Sequence, residues 1–312
     1  MKKLSMSRRK FLQAASVAAA ASSGVFIATA QNKKMNWPIG CFNRPWMQGN
    51  AKVSPVTKPQ PGTNWGYDVA LAGMKKAGYK STGLLTRTPE DPFIGSDATP
   101  EYLQQLKKKI SASGLVANMG ALRTKNDLPL TEQIKDVRQQ IDNGKFLALE
   151  WILTFGVDKP EHYENYYKLM ADAAAYSNKR GIKLVLKPHG GGSGASEEII
   201  RCLEKVRHPN FKIWYDAGNI IYYTGKDPIE QLKPIVKHVV GFCAKDCDQQ
   251  KGNVFIQFGT GQVDFRGVFT ELKKAGFIGP VMVECCAGKT KEEVAENARG
   301  NREYLEKLFV TL

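Results

Sequence analysis

Four strand-like runs in the second half of this chain each end in a small group of polar or ionisable residues. Ile182–Leu186 runs into Lys187-Pro188-His189-Gly190-Gly191, and Phe211–Tyr215 into Asp216-Ala217-Gly218-Asn219. His238–Phe242 is followed by Cys243-Ala244-Lys245-Asp246, and Pro280–Val283 by Glu284-Cys285. An apolar β-run that meets ionisable groups at its C-terminal end, several times over, points to a parallel α/β barrel. There every strand runs the same way, so these ends gather at one mouth, where such barrels do their chemistry. Any one of the four groups reads equally well as the start of a loop. Four in register, one carrying His189 and another Glu284, favour a site.

The rest of the chain agrees with this. Strands are expected at Trp37–Phe42, Ser81–Leu85, Leu115–Ala121, Phe146–Leu153, Ile182–Leu186, Lys212–Tyr215, His238–Phe242 and Pro280–Val283. Between them the periodicity predicts helices over Tyr67–Ala77, Pro100–Ser113, Thr131–Asn143, Glu161–Arg180, Ser196–Val206, Pro228–Val236, Phe265–Ala275 and Glu292–Leu308. Gly78, Gly114, Gly144, Gly181 and Gly276 stand where helices end in a left-handed residue. Eight of each in strict alternation imply a single closed (β/α)8 barrel rather than an open doubly wound sheet. Gly40-Cys41-Phe42-Asn43-Arg44 lacks the spacing of a dinucleotide fingerprint. Gly190-Gly191-Gly192-Ser193-Gly194 reads either as an anion cradle before the next helix or as a plain flexible loop. Ala51–Asn64 and Asp248–Gly261 are the two loops long enough to lie over the mouth.

Residues 1–30 are set apart from the barrel. Ser7-Arg8-Arg9-Lys10-Phe11-Leu12 precedes an Ala-rich stretch that closes on Ala28-Thr29-Ala30. A twin arginine, a short apolar region and a small-x-small end make a twin-arginine export signal, too short to stay as a membrane span. Cleavage near Ala30 would leave residues 31–312 as the barrel domain in the periplasm, with the twin-arginine export machinery as its transient partner. The formal charge of +15 falls accordingly, because Lys2, Lys3, Arg8, Arg9 and Lys10 all leave with the signal, giving 15 − 5 = +10. The remaining lysines are spread along helix faces and no basic block alternates with aromatics, so nucleic acid is not an expected partner. The six cysteines show no Cys-x-x-Cys metal spacing and no disulfide framework. A bridge from Cys243 or Cys247 to Cys285, on neighbouring strands, stays open.

Three stretches then carry a resemblance: Gly181-Ile182-Lys183-Leu184 leading to Lys187-Pro188-His189, Tyr215-Asp216-Ala217-Gly218-Asn219, and Ala244-Lys245-Asp246. A fourth is Gly259-Thr260-Gly261-Gln262-Val263-Asp264-Phe265, followed by Gly276-Phe277-Ile278-Gly279-Pro280 and Val283-Glu284. The chain resembles the sugar phosphate isomerase/epimerase group of xylose isomerase-like TIM barrels. The likeness implies a divalent metal (Mn, Mg, Co or Zn) held by a Glu ending strand five, an Asp ending strand six, a His on strand seven and a Glu ending strand eight. Asp216 and Glu284 match that pattern. Lys187 stands in the strand-five position, Cys243 in that of the strand-seven histidine, and Asn219 where many members place a further His. The ligand set these residues offer is Asp216 and Glu284, with His189 as a third.

Each site residue has a functional and a bland reading. Alternation puts Lys183, Val185, Lys187 and His189 on one side of strand five. Lys187 is a solvated lysine, a fixed positive charge replacing the metal and stabilising an enediolate, or a low-pKa amine for base or Schiff-base chemistry; the electrostatic role is preferred. His189 transfers protons or ligates metal, against a capping role. Glu284 is the natural base for a proton α to a sugar carbonyl. Asp216 orients His189, ligates metal or caps a helix, and Asn219 offers hydrogen bonds to hydroxyls. Lys245 and Asp246 form a plain ion pair or contact the substrate, and Trp46, with Trp65, Tyr222 and Tyr223, offers ring faces for stacking on a sugar. Glu150 lies too early in its strand to reach the mouth.

These readings converge on an exported isomerase or epimerase, or a lyase, acting by proton transfer beside a carbonyl on a sugar, keto-sugar or oxidised glycoside. Two rivals come from other classes: a metal-dependent phosphodiester hydrolase, short of ligands with only four histidines in the chain, and a non-catalytic carbohydrate-binding barrel whose metal site has decayed.

Overall fold

Eight parallel strands close on themselves in chain order in this computed structural model, which describes residues 37–47 and 64–312. The export signal of residues 1–30 and all but Asn64 of the first long loop lie outside the described residues. The strands are β1 Ile39–Phe42, β2 Ser81–Leu84, β3 Val116–Ala121, β4 Trp151–Thr154, β5 Lys183–Leu186, β6 Phe211–Asp216, β7 Val239–Ala244 and β8 Val281–Val283. Closure is made by β8 on β1, with Ile39 opposite Val281 and Cys41 opposite Val283. The outer layer is α1 Tyr67–Lys76, α2 Pro100–Ser113, α3 Leu130–Phe146, α4 Tyr163–Lys179, α5 Ser196–Val206, α6 Ala217–Thr224, α7 Pro228–Leu232, α8 Phe265–Lys274 and α9 Lys291–Val310. No helix among the described residues is long and apolar enough to cross a membrane.

Strand alternation divides the apolar residues into two cores. Phe42, Met119, Trp151, Leu153, Val185, Trp214, Cys243 and Met282 fill the barrel lumen. Their alternates, such as Leu184, Leu186, Ile213, Phe242, Val281 and Val283, face the helices. In the lumen Trp151 and Trp214 meet edge to face, ring centres 5.5 Å apart. Trp214 fits because its neighbour on β7 is Gly241, where a Cβ would lie 2.1 Å from the indole. A lumen packed with two tryptophans has no through-channel, so polar chemistry is confined to its ends.

Three elements differ from expectation, each for a local reason. The apolar run Phe146–Leu149 does not open β4. It finishes α3 and turns through Ala148, whose φ of 58° breaks any strand there. Glu150 consequently sits at the N-terminal end of the barrel, exposed and bonded to Lys183 at 2.9 Å. The helix expected over Pro228–Val236 stops at Leu232, because Pro234 has no N–H to continue it. Directly after β6 the chain forms α6, a helix additional to the eight expected; Asp216 caps it by accepting from the Asn219 N–H at 2.9 Å, one of the three roles open to it.

Candidate active site

The lumen pattern fixes which residues crown the barrel. Two positions beyond Val185, Trp214, Cys243 and Met282 come Lys187, Asp216, Lys245 and Glu284, so all four aim up the axis. They form one buried cluster. Lys187 Nζ lies 3.0 Å from Asp216 Oδ2 and makes a short contact with Glu284 Oε2. Lys245 Nζ bridges the same two carboxylates, 3.2 Å from Asp216 Oδ2 and 3.1 Å from Glu284 Oε1. Arg44, just past β1, donates to Glu284 Oε1 at 3.0 Å. The Cys243 thiol donates to Glu284 Oε2 at 2.7 Å. Both lysines and both carboxylates are buried, while Arg44 keeps 27% of its side chain exposed.

The electrostatics follow from this packing. Burial alone would discharge Lys187, but the carboxylates of Glu284 and Asp216 outweigh it and raise its pKa. Lys245 is raised well above the usual lysine range for the same reason, with Asp216 and Glu284 outweighing burial. Glu284 is held well below the carboxylate range: burial opposes its charge, and Lys187, Lys245 and Arg44 overcome it. The Cys243 thiol is pushed up by burial and then by the two carboxylates, so it stays protonated.

His189 stands apart from these contacts. Its imidazole is half-buried, with the Tyr223 hydroxyl 3.0 Å from Nε2 and the Phe155 ring against its edge, centres 5.1 Å apart. Burial, then the charges of Lys187 and Lys245, pull its pKa well below the usual range, so it is neutral at physiological pH. Above the cluster two guanidiniums lie on aromatic faces, Arg44 on Phe255 at 5.5 Å and Arg123 on Phe155 at 4.5 Å.

Several expectations are corrected here. Glu284 has both oxygens engaged and its pKa depressed, so it serves as counter-ion to the lysines rather than as a free base. Asp216 divides its work, one oxygen capping α6 and the other meeting the lysines, and does not hold His189. His189 is not among the ligand-distance groups; those are Asp216, Cys243 and Glu284. Lys245 faces the cluster instead of pairing with Asp246. Asp246 is turned away, accepting from the backbone N–H groups of Cys247, Gly259, Gly261 and Val263 at 2.8–3.1 Å. It therefore shapes the loop after β7 and is not placed to touch a substrate. Asn219 spends its amide on the Pro188 carbonyl at 2.5 Å, tying α6 to the end of β5. Trp46 is fully buried against Gly73 of α1, where a Cβ would lie 2.5 Å from its ring, so it offers no stacking face. The Gly190–Gly194 loop uses its own N–H groups: Gly192 donates to Val157, Ser193 to Gly190 and Gly194 to Gly191. All six cysteines are free.

Sequence reasoning passed over Arg44, Arg123 and Phe155. Arg44 was in view only as part of a failed glycine motif, and Arg123 follows β3 without any distinguishing neighbour. A cavity of about 770 Å³ opens at the opposite end of the barrel among Asn118, Glu150, Lys183 and Lys212. It is remote from the ionisable cluster.

A closed parallel barrel with its ionisable groups gathered at the C-terminal mouth defines a (β/α)8 protein of the kind in which catalytic groups sit on strand ends. Residues 71–308 match the family described as xylose isomerase-like TIM barrel, and the chain belongs to that family. It is 21% identical over 287 residues to an inosose dehydratase of Lacticaseibacillus casei, covering 80% of this chain and 91% of that one. A shorter stretch of 96 residues is 31% identical to an L-ribulose-5-phosphate 3-epimerase of Escherichia coli, covering 30% and 32%. Among solved structures, a xylose isomerase-like TIM barrel protein of Mycobacterium smegmatis in complex with magnesium superposes with a TM-score of 0.68 at 14% identity, over 88% of this chain and 97% of that one. A D-allulose 3-epimerase from Methylomonas sp. gives 0.66 at 15%, over 88% and 98%.

A divalent ion bound by Asp216 and Glu284 would need the space between them. Lys187 Nζ and Lys245 Nζ already bridge those carboxylates, and the third candidate ligand, Cys243, carries its proton. Two ammonium groups, a guanidinium and a neutral thiol are not a donor set for a hard cation. The residues present do not fit the metal.

Proposed function

We propose that this protein is an enzyme that moves a proton on the carbon beside a carbonyl of a sugar or keto-sugar, with fixed lysine charge in place of a metal. One observation carries it: a neutral imidazole, His189, opens beside a cluster of cations held in place by Asp216 and Glu284. His189 takes the proton; the C–H electron pair moves into the carbon skeleton and the carbonyl oxygen becomes an enediolate oxyanion. Lys187 and Lys245 set a positive potential beneath that oxyanion in a low-dielectric site, where preorganised charge is most effective. Protonation of the same carbon on its opposite face gives epimerisation, and passage of the proton to the neighbouring carbon gives isomerisation; loss of a β-hydroxyl, leaving as water with the proton that His189 took, gives dehydration. The names of the relatives, 3-epimerases and an inosose dehydratase, all fit this first step. Export through the twin-arginine route, and hence free rather than phosphorylated sugars, is part of the same proposal. A phosphodiester hydrolase is disfavoured because His189 is the one histidine beside the cluster; His208 and His238 precede β6 and β7, and His162 ends a 3-10 turn.

The test is solvent exchange. Incubation with a panel of ketoses and keto-sugars in D₂O, followed by NMR, reads loss of the C–H signal beside the carbonyl. Wild type should exchange at least one sugar, and His189→Ala should lose that activity. Binding of sugars without any exchange would leave the carbohydrate-binding barrel instead.

A further inference from the structure

The charges at the mouth do not balance. Lys187 and Lys245 offset Asp216 and Glu284 one for one, and Arg44 shares Glu284 with them. Arg123 then adds a charge of its own. Its pKa is pulled down to about 10 by burial, then by Arg87 and Arg44, which leaves it protonated at neutral pH. Its side chain donates to the Leu85 carbonyl at 3.0 Å and lies on Phe155, and among the described residues no carboxylate pairs with it. Residues 1–36 and 48–63 contain no Asp or Glu, so they bring none either. The backbone of Arg123 is fixed at both ends: its N–H donates to Gln140 Oε1 at 3.0 Å and its carbonyl accepts from Gln140 Nε2 at 2.8 Å. A cation is thus pinned on β3's end over the aromatic ring that also touches His189.

We infer that the substrate carries a carboxylate, bound by Arg123 together with Arg44, so that the enzyme acts on a sugar acid. This rests on the proposed proton-transfer reading and adds the substrate's charge to it. A guanidinium stacked on a ring keeps its N–H edge directed at a planar carboxylate. A phosphate is the poorer match. Barrels cradle phosphate with backbone N–H groups at glycine loops, and in the Gly190–Gly194 loop the N–H groups of Gly192, Ser193 and Gly194 are already bonded within the protein. The carboxylate also explains an enolising site with surplus positive charge, since a substrate anion beside the new oxyanion makes two negative charges to be held.

Binding is measured without turnover, so sugar stereochemistry does not enter. Titration calorimetry at low ionic strength compares glycolate, its neutral counterpart ethylene glycol, and inorganic phosphate on the full-length mature protein. Glycolate should bind at least tenfold more tightly than ethylene glycol and more tightly than phosphate. Arg123→Ala should lose about tenfold for glycolate, and Arg123→Lys should recover part of it, with thermal unfolding confirming that both variants fold. No preference for glycolate, or the same preference in Arg123→Ala, would overturn the assignment; tighter phosphate binding would replace the carboxylate by a phosphate. Glycolate binding alongside failure of every sugar and sugar acid in the D₂O exchange assay would remove the proton-transfer reading while leaving the anion site standing.

Discussion

Lys187 and Lys245, on the ends of β5 and β7, grip the same oxygen of Asp216, at 3.0 and 3.2 Å, and opposite oxygens of Glu284. Two cations thereby occupy the space in which Asp216 and Glu284 would otherwise hold one divalent ion. Asp216 and Glu284 each meet both ammonium groups, so the two carboxylates anchor the lysines.

The anchoring has an energetic signature. Lys187→Met leaves two buried carboxylates short of a counter-charge and should cost about 3–5 kcal/mol of stability. Adding Glu284→Gln should return part of that loss, because the two residues contact each other and their effects couple. Urea unfolding of the two single variants and the double variant reads the coupling directly; simple additivity would mean that the cluster is not the unit described.

Turnover should depend on His189 far more than stability does. His189→Ala is expected to lower exchange by roughly 10²–10⁴-fold, the usual contribution of a positioned acid–base group. Tyr223→Phe should lower it less, since the hydroxyl positions the ring without receiving the substrate proton. Deuterium incorporation followed by NMR gives both values, and unchanged rates in both variants would take His189 out of the mechanism.

The pH dependence of stability has a definite sign. His189 titrates below its unfolded value of 6.5, so below pH 6.5 the unfolded chain binds more protons and stability falls as pH falls. Glu284, also depressed, adds a loss of the same sign below its unfolded value of 4.5. Lys187 and Lys245 are raised, so their contribution is full below 10.5 and is lost as pH rises through their folded values. Urea midpoints should therefore decline from pH 6.5 to 5 in wild type, and less steeply in His189→Gln, where this imidazole no longer takes up a proton on unfolding. Equal slopes would mean that His189 is not depressed.

Much of the barrel was legible because strand alternation is a strong signal when one face packs a lumen and the other packs helices. Lys187, Asp216 and Glu284 stood out in the sequence because each directly follows an apolar strand run; the structure adds that each lies two residues beyond a lumen side chain. What each does was less legible. Glu284 looks like a base in sequence, and only the convergence of Arg44, Lys187, Lys245 and Cys243 on its two oxygens makes it a counter-ion. Asp246 follows Lys245 directly, just past the end of β7, yet Lys245 turns into the cluster while Asp246 accepts from the backbone of the loop that follows. Trp46 lies just past a strand end and still packs outward, because Gly73 leaves it a slot that no local pattern announces.

Export is tested separately from chemistry. Replacing Arg8-Arg9 by Lys-Lys should strand the precursor inside the cell, while the unaltered chain should be recovered from the periplasm with its N-terminus near Gln31. Fractionation followed by N-terminal sequencing decides it, and normal export of the variant by the same pathway would remove the twin-arginine reading.

The replacement of metal by lysine is tested most directly by elemental analysis of purified mature protein, wild type beside Lys187→Glu, after dialysis against Mn²⁺ and then metal-free buffer. Wild type should retain well under one metal per chain, because both carboxylates are already bridged by ammonium groups. Lys187→Glu removes one of those cations, supplies a third carboxylate and should retain Mn²⁺ close to one per chain. One tightly held divalent ion per chain in the wild type would contradict the account, since Lys187 could not then sit between Asp216 and Glu284.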